Sequence, residues 1–244
     1  MCTFCGDSSR QHSPGYSRRG FLKLAGTAGA GILLSDRALF AAGEIPKPQN
    51  VLSPQEALHR LMKGNHRYVD GGMVSQDFDL ERKTLAGGQN PFAGVLSCAD
   101  SRVAPEYIFD CGLGDLFIVR VAGNFAEEDG IASFEYAVKF LGTPLLVVLG
   151  HDKCGAVDAA IKTVKDGAEL PGHLPHLVEH IAPAVKTALA EPGDLLANAI
   201  RENVARNMEL LKTTSPLISD YVDQKKLRIV GGVYKLKDGR IDWL

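Results

Sequence analysis

The run Leu145-Leu146-Val147-Val148-Leu149 places five apolar residues in succession with no polar alternation. A strand with one face in water alternates apolar and polar side chains, so this run belongs to a strand covered on both faces. A parallel sheet flanked by helices supplies that cover. Residues 93–97, 116–121 and 227–233 are further apolar stretches. Helical periodicity fills two of the intervals, over 130–141 (Ile131, Phe134, Tyr136, Val138, Leu141) and over 156–164. The expected fold class is α/β, a mostly parallel sheet of about four to five strands flanked by helices, with 240–244 pairing nearby.

Ahead of the sheet, Ser53-Pro54-Gln55-Glu56 supplies an N-cap, a first-turn proline and a capping-box glutamate. Leu58, Leu61, Met62 and Tyr68 follow at helical spacing, which predicts a helical arm over 54–70. The mostly polar stretch 71–91 reads as loop. Residues 174–223 are helical in composition, with breaks expected at Pro183, Pro192-Gly193 and Pro216. With 45% hydrophobic and 23% charged residues, the chain falls outside the disordered and fibrous classes. A net charge of −2 gives no basic excess for binding nucleic acid.

The first 43 residues have the layout of an address. Ser17-Arg18-Arg19-Gly20-Phe21-Leu22-Lys23 precedes a mild apolar run over 24–34 and then Ala41-Ala42-Gly43. Eleven residues span about 16 Å as a helix, short of a bilayer core of about 30 Å, so a stable membrane anchor is not expected. The paired arginines resemble a twin-arginine export signal, which is read by a receptor. Residues 1–43 are therefore expected to engage the twin-arginine export machinery, and 44–244 to act as one domain in the periplasm or otherwise outside the inner membrane. Cys2 and Cys5 have C-x-x-C spacing but lie ahead of the targeting motif and read as incidental.

Chemistry in open parallel sheets gathers beyond the carboxyl ends of the strands. Cys98-Ala99-Asp100-Ser101-Arg102 follows the first apolar run, and His151-Asp152-Lys153-Cys154-Gly155 follows the third. Two thiols and an imidazole are ligands that zinc prefers, and Cys₂His with an open position is a catalytic arrangement. Asp100 is the nearby candidate for a fourth ligand. Taken alone, a cysteine at a strand end is a small buried residue, and Cys111 reads that way. A purely structural zinc in a binding module and a metal-free thiol nucleophile activated by Lys153 or Arg102 remain alternatives on these residues. His173, His176 and His180 form a group that reads as solvated helix and loop residues.

Cys-x-Asp-Ser-Arg followed 53 residues after Cys98 by His-x-x-Cys-Gly resembles the β-class carbonic anhydrases. The resemblance runs over 53–244 and includes Phe109-Asp110, Gly114-Asp115-Leu116-Phe117 and Arg120-Val121-Ala122-Gly123-Asn124. It implies one Zn2+ per chain on Cys98, His151 and Cys154, and a catalytic pair of Asp100 and Arg102. It also implies substrate contacts from Gln89 and a narrow pocket lined by Phe117, Ala122, Tyr136 and Gly155. The implied activity is reversible hydration of carbon dioxide to bicarbonate and a proton by zinc-activated hydroxide. The pocket of this family lies at a dimer interface, so a homodimer or higher homo-oligomer is implied. Relatives that hydrolyse carbonyl sulfide or carbon disulfide share the fold.

Some β-class members close when the aspartate takes the zinc, with bicarbonate at a second site and a tryptophan and a glycine three and one residues before the first ligand. Val95 and Ser97 stand at those places. The expectation is therefore an open site with water as fourth ligand, Asp100 ligating only in a closed form.

Overall fold

The computed structural model describes residues 51–244. The export-type segment, with Cys2 and Cys5, lies outside the described residues. Five strands form one sheet in the order β2-β1-β3-β4-β5. Here β1 is Ala93–Ser97, β2 Leu116–Arg120, β3 Leu145–His151, β4 Arg228–Tyr234 and β5 Ile241–Trp243. All neighbours are parallel except β4 and β5.

Every residue of β1 and β3 is buried, which accounts for their unbroken apolar character. The pleat divides them between two cores. Leu96, Leu146 and Val148 pack with α4 (Glu128–Leu141), α5 (Gly155–Asp166), α6 (Leu174–Ala188) and α7 (Leu195–Thr214). Ala93, Val95, Leu145, Val147 and Leu149 face the other way, onto α1 (Pro54–Asp70) and α3 (Pro105–Ile108). Helix α1 begins as its sequence dictates. The Glu56 amide donates to Ser53 Oγ, the Ser53 amide donates to Glu56 Oε2, and Gly71 ends the helix at φ 72°.

Two expectations are corrected. The stretch 71–91 is not all loop, because it contains α2 (Phe78–Leu85). This helix rests on local polar contacts, with Asp77 capping the Leu80 amide and Asp79 pairing with Arg82 and Lys83. None of its residues is buried, and its eight residues are too few to show the sustained apolar stripe that marks 54–70. Nor does Pro183 break the chain; it lies inside α6. An interior proline costs about 3 kcal/mol. Burial of Val178, Ile181 and Val185 stabilises by about 1.5–3 kcal/mol each, so packing outweighs the lost hydrogen bond. The other two breaks fall as expected, Pro192-Gly193 between α6 and α7, and Pro216 at the first position of α8 (Pro216–Asp223) under a Ser215 cap. Among the described residues, no helix is long and apolar enough to cross a membrane.

Candidate metal centre and active site

The carboxyl ends of β1 and β3 are neighbours, Ser97 lying opposite Leu149. Cys98 follows β1 directly, and β3 runs two residues beyond its apolar core to end on His151. Lys153 turns the chain back at φ 53°, which brings Cys154 to the N-cap position of α5. Three residues separated by 53 and 3 positions thus share one sheet edge. Their ligand atoms lie within 4.8 Å of one another, and all three residues are buried.

The polar surroundings suit a cation. His151 Nδ1 is 2.8 Å from the Asp152 carbonyl, which selects the Nδ1–H tautomer and leaves the Nε2 lone pair facing the two sulfurs. That Nε2 is buried and has no hydrogen-bond partner in the protein. An orphaned buried acceptor costs about 1–3 kcal/mol unless something fills its lone pair. The Gly123 amide donates to Cys98 Sγ at 3.3 Å. The neighbouring Cys154 thiol, with the Gly123 and Asp100 amides, holds Cys98 well below the ordinary thiol range despite burial. The same contact, with burial, pushes Cys154 up. The donor set of two sulfurs and one free imidazole nitrogen fits zinc, which would displace the Cys154 thiol proton.

Asp100 stands at the mouth of this cluster, Oδ2 3.8 Å from His151 Nε2. Arg102 grips both its oxygens, Nε donating to Oδ1 at 2.9 Å and Nη2 to Oδ2 at 2.7 Å, while the Arg102 amide adds a 3.0 Å bond to Oδ1. This guanidinium holds the Asp100 carboxyl well below the usual carboxylate range.

The remaining expected site residues divide into two groups. Ala122 precedes the Gly123 amide that contacts Cys98, and Gly155 follows Cys154, so both border the cluster. Gln89, Phe117 and Tyr136 do not. Gln89 is exposed ahead of β1, at the opposite end of the strand from Cys98. Phe117 pairs with Gly94, four residues before Cys98 and so about 13 Å along the strand. Tyr136, 49% exposed, lies on α4 with its ring centroid 6.5 Å from that of Phe117 and 5.4 Å from that of Phe140. Cys111 is a partly buried small residue as expected, its thiol pushed up to about 12 by burial.

Four further residues support the site, Arg120 and Gly123 from the 120–124 stretch and Asn203 and Asn207 from α7. Arg120 ties down the Cys98–Asp100 turn, donating to both backbone carbonyls at 2.9 and 2.8 Å. Gly123 holds φ 87°, and a Cβ there would stand 2.5 Å from Ile181 Cδ1, so glycine is required on both counts. Asn203 Nδ2 donates to the Gly123 carbonyl at 2.8 Å, while Asn207 Oδ1 accepts from the Ala126 amide at 2.7 Å. Two asparagines one turn apart on the apolar face of α7 were the only advance sign of this brace.

A buried Cys-His-Cys cluster at the carboxyl edge of a parallel sheet, with an arginine-clamped aspartate beside it, defines a metalloenzyme class, and comparison with known proteins agrees. The chain belongs to the carbonic anhydrase family, whose model matches residues 93–241. It is 42% identical over 190 residues to carbonic anhydrase 2 of Mycobacterium tuberculosis, covering 77% of this chain and 91% of that protein. It is 38% identical over 195 residues to a carbonic anhydrase of Mycolicibacterium smegmatis, covering 78% and 93%. Among solved structures, the β-carbonic anhydrase CcaA superposes with a TM-score of 0.60 at 27% identity, over 78% of this chain and 92% of that one. The protein is a zinc-dependent enzyme of the β class that hydrates carbon dioxide reversibly to bicarbonate and a proton.

Proposed function

We propose that Cys98, His151 and Cys154 hold the zinc and that Asp100 and Arg102 direct the reaction. The observation that carries this reading is the orphaned His151 Nε2 between two sulfurs, with a clamped carboxylate 3.8 Å away. When bound, zinc acts as a Lewis acid that lowers the pKa of water and supplies the nucleophile near neutral pH. Two thiolates cancel the formal charge of the metal, so the protein's own polar groups carry more of the orienting work. Asp100, held ionised, accepts the nucleophile's proton as a hydrogen bond and aims its lone pair at the carbon of carbon dioxide. Arg102 occupies both carboxylate oxygens, which favours the open form with Asp100 off the metal. Ala122 and Gly155 give the mouth small walls that suit an apolar substrate.

Asp100→Asn tests these roles, because the amide keeps the shape but loses the charge. The variant should retain zinc while kcat/KM for carbon dioxide hydration, read by stopped flow, falls about 10²-fold or more. Full activity in that variant would remove Asp100 from the mechanism.

The working unit in this proposal is a homo-oligomer. Strand β2 is an open sheet edge, flanked by the exposed Tyr136 and Phe140. Near its start, Met73, Val74, Phe78, Tyr107 and Leu113 line a groove of about 470 Å³. Gln89, Phe117 and Tyr136, remote from the cluster of their own chain, complete the pocket of a partner subunit. A Sordaria macrospora relative of the same fold, superposing with a TM-score of 0.62 at 24% identity, is described as tetrameric.

Export through the twin-arginine route, with work in the periplasm, is supported by Arg18-Arg19 and the short apolar run that follows. A chain that takes up its metal before export suits a route that carries folded proteins. Replacing both arginines by lysine should leave the protein in the cytoplasmic fraction of a bacterium that otherwise exports it. Unchanged export would remove the assignment.

A further inference from the structure

We propose a second, peripheral metal site on Glu127, His176 and His180 that takes a divalent transition ion such as Zn2+ or Co2+. Carboxylate and imidazole atoms from the three residues lie within 4.8 Å of one another. They come from two segments. His176 and His180 stand one turn apart on α6, and Glu127 occupies the N-cap position of α4 without a capping bond from its side chain. Histidines four apart on a helix face the same way, as paired metal ligands require. The expectation that this histidine group is merely solvated does not hold for His180. Its ring lies flat on Phe125, centroids 4.3 Å apart and planes 5° apart, so its orientation is fixed. His176 presents its edge to His180 at 4.9 Å and 86°, a crossed arrangement that directs nitrogens from two planes toward one region.

Among the described residues, neither the Glu127 carboxylate nor either imidazole is engaged in a hydrogen bond or an ion pair, so the ligand atoms are not spent elsewhere. The surroundings are acidic. Glu128, Glu135 and Glu179 share the adjoining groove with His180, against one cation, Arg206. Glu128 and Asp129 in the first turn of α4 also offset the positive end of that helix. Two neutral imidazoles and one carboxylate suit borderline ions of the Co2+ to Zn2+ part of the first row, with ligand bonds of about 2.0–2.2 Å. Alkaline-earth ions, which demand more oxygen ligands, are excluded.

The site would join α6 to the loop between β2 and α4. That loop carries Gly123, the donor to Cys98 Sγ, and Ile181 of α6 packs against Gly123.

Equilibrium dialysis of the zinc-loaded full chain against low micromolar Zn2+ should give one equivalent above the catalytic metal. With Co2+ as probe, that equivalent should show d–d absorption without thiolate charge transfer, which separates it from the Cys98 cluster. His176→Gln, Glu127→Gln and His180→Phe, which keeps a ring on Phe125, should each weaken the added equivalent at least about tenfold. All three should keep carbon dioxide hydration, which reports that they fold, and His173→Gln should bind as the parent does. No added equivalent, or one undiminished by His176→Gln and His180→Phe, overturns the site. If His180→Phe does not fold, the exposed His176→Gln decides alone.

Discussion

Chain carrying Cys98→Ser should purify with far less than one zinc and lose at least about 10³-fold of its carbon dioxide hydration rate, because the uncatalysed reaction is left without its activated nucleophile. The loss follows from chemistry and position together. A serine hydroxyl does not ionise near neutral pH, so it cannot replace the thiolate, which the Gly123 and Asp100 amides stabilise in the native site. The fold should survive. Serine is smaller than cysteine and can donate to the His151 Nε2 that otherwise has no partner in the protein. Metal content and stopped-flow rate on the same sample, with circular dichroism as the control, check this. A serine variant that keeps stoichiometric zinc and wild-type turnover would show that the metal is held elsewhere.

The sheet and the Cys98-His151-Cys154 cluster were legible in the sequence for a shared physical reason. A strand covered on both faces must be apolar throughout, and function in such sheets collects where strands end, so the run over 145–149 located both a core element and its reactive tip. The capping box at Ser53 and Glu56 was legible because each cap residue makes a local bond three positions away. Elements held by other means were less so. Helix α2 has a local Asp77 cap and a Glu81 bond to the Leu113 amide but buries nothing, and α6 tolerates Pro183 through tertiary packing. The brace from Asn203 to Gly123 joins residues 80 positions apart and leaves only a polar residue on an apolar face as its trace. His180 shows the same limit, since its contact with Phe125 depends on how α6 lies on the loop before α4. Even the pocket residues, implied by resemblance, gained a geometry only when Phe117 was seen in register with Gly94 rather than with the strand end.

That geometry leads to the second large effect. If Gln89, Phe117 and Tyr136 serve a partner's zinc, two differently disabled chains should rescue one another. Cys98→Ser lacks the metal but keeps the pocket residues, whereas a Gln89→Ala/Tyr136→Ala chain keeps the metal and lacks the pocket. Each alone should be nearly inactive. Dissociated, mixed in equal amounts and reassembled, half of the random dimers hold one of each, and each mixed dimer has one complete site of two. The mixture should therefore recover about a quarter of wild-type activity under two-fold symmetry. Pocket residues acting on their own chain's zinc give the opposite outcome, because every site then remains defective in one respect and mixing restores nothing. Differently tagged chains, copurified to establish that mixed dimers form, make that null result decisive. The distance along β1 explains why the effect should be close to all-or-none. Phe117, in register with Gly94 and so about 13 Å along the strand from Cys98, is beyond the reach of a rotamer change, and in this proposal catalysis depends on assembly rather than being merely improved by it.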